Sequence, residues 1–327
     1  MARSGLLQRL GIEHPVIQAP MGGGPTTPEL VAAVSTAGGL GSLGAAYLTP
    51  DQIADAIRRI RALTDRPFNV NLFAGGYETG RRVDPAPMLA LLGEIHDALG
   101  LPPPALPVLP PDPFPEQFEA VLEARPVVFS FTFGMPPGDA LARLRARGIA
   151  SLGTATTIDE ARMLVAAGVD AIVAQGAEAG AHRGTFAGPF EAGMVPTPDL
   201  VRGILGAVSA PVIAAGGLMD GRDVAAALGL GASAAQLGTA FLTCPESGAP
   251  EAHKQAILAA RADTTVVTRA FSGRPARGLV NAFIARLEGK EHTILPYPLQ
   301  NALTRAMRTA AARVSGRRIV SHRGRAS

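Results

Sequence analysis

The sequence predicts a (β/α)8 TIM barrel. Two observations carry that expectation: short apolar runs ending in Gly or a polar residue alternate with Ala/Leu-rich stretches of helical period, and eight such runs can be counted. Length agrees, because 327 residues exceed the roughly 250 of a bare barrel and leave room for additions.

Taken in order, the first strand is Val16 to Ala19, then a loop from Pro20 to Pro25 and a helix from Thr27 to Ala37 with Pro28 favourable in its first turn. Further strands are expected near Leu40 to Leu43, Phe68 to Leu72, Val127 to Phe131, Ile149 to Leu152, Ala171 to Ala174, Val212 to Ala215 and Ala234 to Leu237. Helices fall between them around Pro50 to Leu63, Asp139 to Arg147, Ile158 to Ala167, Pro198 to Val208 and Gly221 to Leu228.

Two segments break the rhythm. The stretch Leu101 to Pro115 is rich in proline, which lacks an amide donor and fixes φ, so it reads as a loop. Beyond Leu242 no barrel strand is evident. The expected division is a barrel over residues 1–242, a small, mostly helical subdomain over 243–300 capping the mouth, and a C-terminal helix and basic tail over 301–327 packing back on the barrel.

Composition narrows the function classes. Hydrophobic residues make up 47% of the chain and charged ones 17%, which suits a large buried core and not a disordered chain. The net charge is only +3, with Arg305, Arg308, Arg313, Arg317, Arg318, Arg323 and Arg325 crowded at the C-terminus. With no Trp and three Tyr there is neither a stacking platform nor a reading element, so no nucleic-acid partner is expected. The single cysteine, Cys244, cannot form an internal disulfide, which suits a reducing compartment. Residues Met1 to Leu10 lack the apolar core of an export signal, and no run approaches the ~18 apolar residues of a membrane span. A cytoplasmic protein with no membrane partner is the expectation.

The sharpest motif is Gln175-Gly-Ala-Glu-Ala-Gly-Ala-His-Arg-Gly184, directly after the sixth strand and so on the C-terminal face where barrels carry out chemistry. Gly176, Gly180 and Gly184 let backbone approach a ligand, and His182 is placed in a tight loop facing the mouth. Its imidazole titrates near neutrality and can remove a proton from a carbon acid or hold the resulting anion; the competing reading is a surface-loop histidine. His14, His96, His253, His292 and His322 lie away from the C-terminal strand ends. No His or Cys spacing suits a metal, so none is expected.

The loops after the seventh and eighth strands, Ala214-Ala-Gly-Gly-Leu218 and Gln236-Leu-Gly-Thr239, occupy the usual phosphate-binding position of barrels. Gly216, Gly217, Gly238 and Thr239 would offer backbone amides there, with no Lys nearby. In the opening loop Gln18 to Gly24, Met21 either presents its thioether to a ring or fills the core. Asn69 and Asn71 share one strand face, toward the barrel axis or away from it, and serve a ligand or the structure. No G-x-G-x-x-G follows the first strand, so a Rossmann dinucleotide site is not expected.

These runs, together with Gly38-Gly-Leu-Gly-Ser-Leu-Gly44 and Arg274-Pro-Ala-Arg-Gly-Leu-Val-Asn281, resemble the nitronate monooxygenases over nearly the whole chain and in order. The resemblance implies an FMN-containing barrel that oxidises alkyl nitronates, such as propionate 3-nitronate, with O2 to a carbonyl compound plus nitrite or nitrate. It implies His182 as the catalytic histidine and, as flavin contacts, Pro20, Met21, Asn71, Gln175, Gly180, Gly216, Gly217 and the run Gln236, Leu237, Gly238 and Thr239. Met21, Thr132 and Tyr297 match substrate-pocket positions. One departure is Thr132, in Phe129-Ser-Phe-Thr-Phe-Gly134, where relatives often carry a second histidine; a hydroxyl donates one hydrogen bond but carries no charge. An NAD(P)H:quinone reductase or an enoyl-thioester reductase on the same barrel is the alternative, and either a monomer or a homodimer fits.

Overall fold

The computed structural model describes residues 2–75, 83–109, 111–261 and 264–313. The basic tail from Arg317 to Arg325, with His322, lies outside the described residues. The chain divides into two compact units, one of residues 1–76 and 112–249, the other of residues 77–111 and 250–327. The sequence reading placed the boundary at 242, kept 77–111 with the barrel, and set 301–327 apart.

In chain order, the first half runs α1 (Ala2–Leu10), β1 (Val16–Gln18), α2 (Pro28–Thr36), β2 (Gly41–Gly44), α3 (Pro50–Leu63), β3 (Phe68–Phe73), α4 (Ala86–Leu99), α5 (Phe114–Ala124), β4 (Val128–Thr132) and α6 (Ala140–Ala146). There follow β5 (Ala150–Ala155), α7 (Ile158–Ala167), β6 (Ala171–Gln175), β7 (Ala181–His182), α8 (Thr197–Ala207), β8 (Val212–Ala215), α9 (Gly221–Gly229), β9 (Ala234–Leu237) and α10 (Thr239–Leu242). The last stretch holds α11 (Glu251–Leu258), β10 (Thr265–Thr268), β11 (Ala276–Leu279), α12 (Ala282–Arg286), α13 (Leu299–Leu303) and α14 (Arg305–Arg313).

All eight barrel strands stand where the apolar runs place them, as one parallel sheet in the order β1-β9-β8-β6-β5-β4-β3-β2. The seam between β1 and β2 has a single bridge, Ile17 to Leu40. Beyond that bridge the buried Gln18 amide takes over: its Oε1 accepts from Ser42 N–H at 2.9 Å and its Nε2 donates to Ser42 C=O at 3.2 Å. A side chain thereby supplies the donor and acceptor that an adjacent strand would have supplied, and the barrel closes without orphaned backbone groups at Ser42.

Side-chain alternation sorts the strands into two cores. Outward residues such as Val70, Leu72, Phe129 and Phe131 pack with Ile53, Ile57 and Phe118 of the helices. Inward residues Ile17, Leu40, Val128, Leu152, Val173 and Ile213 pack together with Leu6 and Leu10 of α1, a helix the sequence reading lacked. The helices start on local signals: Thr49 caps α3 in a reciprocal box with Gln52, Asp220 caps α9 with Asp223, and Thr157 caps α7. Each such cap contributes about 1 kcal/mol.

The proline-rich segment differs from its reading at one end. Residues 101–109 have no regular structure, but Phe114 and Pro115 belong to α5, where a proline in the first turn lacks only an N–H that would have had no helical partner. The second unit has its own core of Met88, Leu92, Phe283, Leu287, Leu295 and Leu303. Within it, β10 and β11 pair antiparallel, Thr265 opposite Leu279. Buried Gln300 ties the unit together, donating to Ala270 C=O at 2.8 Å and accepting from Leu295 N–H at 3.2 Å.

Candidate functional site

The inward face of the barrel turns polar toward its C-terminal end. Val70 and Leu72 face the helices, so Asn69 and Asn71 face the axis, which settles the choice left open by their spacing. Ser130 Oγ accepts from Asn69 Nδ2 at 2.8 Å and from Asn71 Nδ2 at 2.9 Å, while Asn69 also donates to Ser42 Oγ at 3.2 Å. Asn69, fully buried, therefore has a structural use for its amide nitrogen, and Asn71 stands one step nearer the mouth.

The segment after β6 is tied down by three polar side chains, half-buried Gln175 and buried Arg183 and Glu160. Gln175 donates to His182 C=O at 3.0 Å and accepts from Gly184 N–H at 2.7 Å, so one amide side chain pins the backbone on both sides of Arg183. The Arg183 guanidinium, 1% exposed, reaches inward to the carbonyls of Gly176, Gln175 and Gly193 at 2.6 to 2.9 Å. The Glu160 carboxylate, fully buried on α7, accepts from Thr156 N–H and Oγ at 2.7 and 2.8 Å and from Ala187 N–H at 2.9 Å. A charge stripped of water is tolerable here because hydrogen bonds replace its hydration.

His182 itself is half-buried, and it differs from expectation in lying in the two-residue strand β7 and not in a loop. Ala181 before it holds φ at +62°, a left-handed conformation that costs a non-glycine residue on the order of 1–3 kcal/mol. The Phe133 ring meets the imidazole at right angles, centroids 5.7 Å apart. Thr132, at the end of β4, faces the same place: a Cβ on Gly184 would lie 2.9 Å from its Oγ.

That contact revises the reading of two glycines. Gly176 and Gly184 were expected to admit a ligand, but a Cβ on Gly176 would sit 2.0 Å from Thr197 Oγ, and one on Gly184 would strike Thr132 and Thr154. Their missing side chains make room for the protein's own packing. Gly180 is different, because a Cβ there would face only Thr239 Oγ at 3.3 Å, bringing the segments after β6 and β9 together. Gly216 and Gly217 hold φ at +117° and +71° after β8, a conformation that favours glycine, and a Cβ on Gly216 would lie 2.9 Å from both Ala179 N and Thr197 Oγ. Next to them, Glu178 accepts from Thr197 N–H and Oγ at 2.9 and 2.6 Å.

The remaining expected residues are distributed as follows. Pro20 and Met21 follow β1, and Met21 C=O accepts from Thr26 Oγ at 3.1 Å, fixing the loop over Gly44. Leu237 turns its side chain into the outer core, and its carbonyl already accepts from Ala19 N–H at 2.8 Å. Gln236 is half-buried on β9 in register with Ile17 of β1, and Gly238 precedes the short helix α10. Tyr297 belongs to the second unit, where it is 2% exposed. His96 is buried with Nδ1 against Pro102 C=O at 2.6 Å, while His14 and His253 have no place at the strand ends.

The sequence reading missed Phe133, Glu160 and the inward turn of Arg183. A phenylalanine at a strand end reads as core, and a charged residue beside glycines reads as surface; only the adjacency of Arg183 to His182 could have pointed to it.

The family model of nitronate monooxygenase matches residues 3–320. A probable nitronate monooxygenase from Staphylococcus aureus strain Newman is 44% identical over 316 residues, covering 96% of this chain and 89% of that protein. Among solved structures, a nitroalkane oxidase from Streptomyces ansochromogenes superposes with a TM-score of 0.86 at 42% identity, covering 94% of this chain and 88% of that one. FabK from Thermotoga maritima follows at a TM-score of 0.69 and 32% identity, covering 88% and 78%. No helix among the described residues is long and apolar enough to cross a membrane. Matched from near one end to the other and built on the same barrel, the chain belongs to the nitronate monooxygenase family, a group of flavin-dependent oxidoreductases acting on small molecules.

Proposed function

We propose that this chain binds FMN at the C-terminal end of its barrel and oxidises alkyl nitronates, propionate 3-nitronate among them, with O2 to a carbonyl compound plus nitrite or nitrate. The observation that carries the reading is the imidazole of His182, held by a strained Ala181 and a Gln175 clamp at the polar end of the barrel.

The residues fit such a cofactor. A Cβ on Gly180 would meet only Thr239 Oγ, and Gly216 and Gly217 hold positive φ, so the backbone amides after β6, β8 and β9 would be the groups to hold a phosphate. Pro20, Met21 and Asn71 would border the ring, and Gln175 keeps one amide hydrogen beyond the two bonds it makes within its own segment. At Gln236 and Leu237 the backbone is the part placed to contribute, followed by Gly238 and Thr239. When bound, FMN supplies the electron transfer between substrate and O2.

His182 holds the nitronate oxygens, or takes the α-proton when a neutral nitroalkane binds, a role worth roughly 10²–10⁴-fold in rate. Thr132 donates one hydrogen bond to a nitro oxygen. Its neutrality leaves His182 to carry the charge complementarity to the anion.

The test is the visible spectrum of the purified protein followed by anaerobic additions. Bleaching on addition of propionate 3-nitronate and none with NADH supports the proposal. Bleaching by NADH alone overturns it in favour of a reductase on the same barrel.

A further inference from the structure

Three non-glycine residues among those described hold a left-handed backbone: Arg125 (φ +50°), Phe133 (φ +74°) and Ala181 (φ +62°). Arg125 is the C-cap of α5, an ordinary place for that conformation. The other two converge on one imidazole, because Ala181 precedes His182 in the chain and Phe133 touches its ring.

The alternation of β4 makes the Phe133 conformation informative. Phe129 and Phe131 point outward into the helix-facing core, and an extended residue 133 would join them. The left-handed backbone breaks that register, and the ring, 4% exposed, stands against His182 instead. The neighbourhood is shaped to keep it there. Gly134 continues the turn at φ +156°, and Gly75 must lack a side chain because a Cβ would lie 2.9 Å from Phe133 C=O. Phe73 braces the ring at 4.4 Å between centroids, and Tyr47 meets Phe73 edge-on at 5.4 Å. Backbone strain at two non-glycine positions that meet at one candidate catalytic group is the pattern expected of a functional constraint.

We propose that Phe133 is a positioning residue that sets the ring plane of His182 through their edge-to-face contact. The inference rests on the reading of His182 as the group that acts on substrate. A rigid aromatic with two torsions is suited to the task, since it loses little entropy in holding a neighbour.

The experiment uses full-length holoenzyme with ¹⁵N-labelled histidine, the His182 ring signals being assigned by their loss in His182→Asn. Phe133→Leu is expected to shift the His182 ring signals and to lower kcat roughly 10- to 100-fold with KM nearly unchanged, as misplacement of a reacting group does. Phe133→Tyr, which keeps the ring, is expected to restore kcat to within about threefold of the wild type. Phe73→Leu, one ring further along the row, should shift the signals less. Unmoved His182 signals in Phe133→Leu, a kcat within about twofold of wild type, or a loss confined to KM would each overturn the proposal. So would an equal loss in Phe133→Tyr. Should Phe133→Leu fail to fold, Phe133→Met carries the same comparison. Normal turnover by His182→Asn would remove the function reading alone, while the ring signals would still report whether Phe133 positions the imidazole.

Discussion

The two ends of the barrel interior are built from the same strands and the same inward register, yet they hold opposite chemistry. On β4 the inward residues run Val128, Ser130, Thr132; on β5, Ala150, Leu152, Thr154; on β6, Ala171, Val173, Gln175. At the N-terminal end the apolar members pack with Leu6, Leu10 and Ile12 into a closed floor. At the other end the polar members meet the segment that carries His182. What separates the apolar floor from the polar end in this molecule is position along a strand, not the choice of strand.

That division makes unequal demands on each end, and substitutions can break it. The largest expected effect is at the mouth: His182→Asn should lower turnover with nitronate by roughly 10²–10⁴-fold while the visible flavin spectrum and the denaturation midpoint stay as they were. At the floor, Leu152→Ala should cost about 2–5 kcal/mol in a denaturant titration, with the activity of the remaining folded protein unchanged. If Leu152→Ala impaired turnover without loss of stability, the division would be wrong.

Glu160→Gln tests how the outer layer supports the polar end, because its carboxylate anchors Thr156 and Ala187 from the first turn of α7. An amide nitrogen facing backbone N–H groups should cost about 1–3 kcal/mol and expose residues 185–187 to proteolysis before global unfolding. Thr132→Val should raise KM for nitronate roughly fivefold, the worth of about one neutral hydrogen bond, with little change in thermal midpoint. The smallest effect belongs to the outer surface. Arg143 pairs with both oxygens of Glu119 at 2.7 and 2.6 Å and holds that carboxyl below the usual carboxylate range. Its contribution is present above pH 4.5 and is lost as pH falls through the lowered folded value, so Arg143→Gln should flatten only the acid limb of the stability profile.

Much of this architecture was legible in the residue order. Helix α3 spans Pro50–Leu63 as the pattern of Ile53, Ile57 and Ile60 after a Thr49 cap predicts, and α7 likewise spans Ile158–Ala167. The eight strands were legible because runs buried on both faces are mostly apolar, with polar residues such as Asn69 and Ser130 on the inward side. Helices α4 and α5 were not, since each begins beside prolines that read as a loop, and α1 has no apolar stripe strong enough to announce it. The short strands β7, β10 and β11 escaped notice because two to four residues carry no period. At the site, the motif around His182 and the glycines after β8 and β9 could be named from sequence, but not which glycines serve a ligand. Gly176 and Gly184 turn out to serve Thr197 and Thr132.

Local chemistry was enough to set the barrel, its caps and the strand ends where reactive residues gather, because periodicity, capping and glycine turns act over a few neighbouring residues. The inward burial of Arg183, the Gln18 seam between β1 and β2, and the meeting of Phe133 with His182 arose only in three dimensions. Each joins groups far apart along the chain or reverses what the residue type suggests. Such contacts depend on which surfaces the closed barrel brings face to face, and no local pattern encodes that.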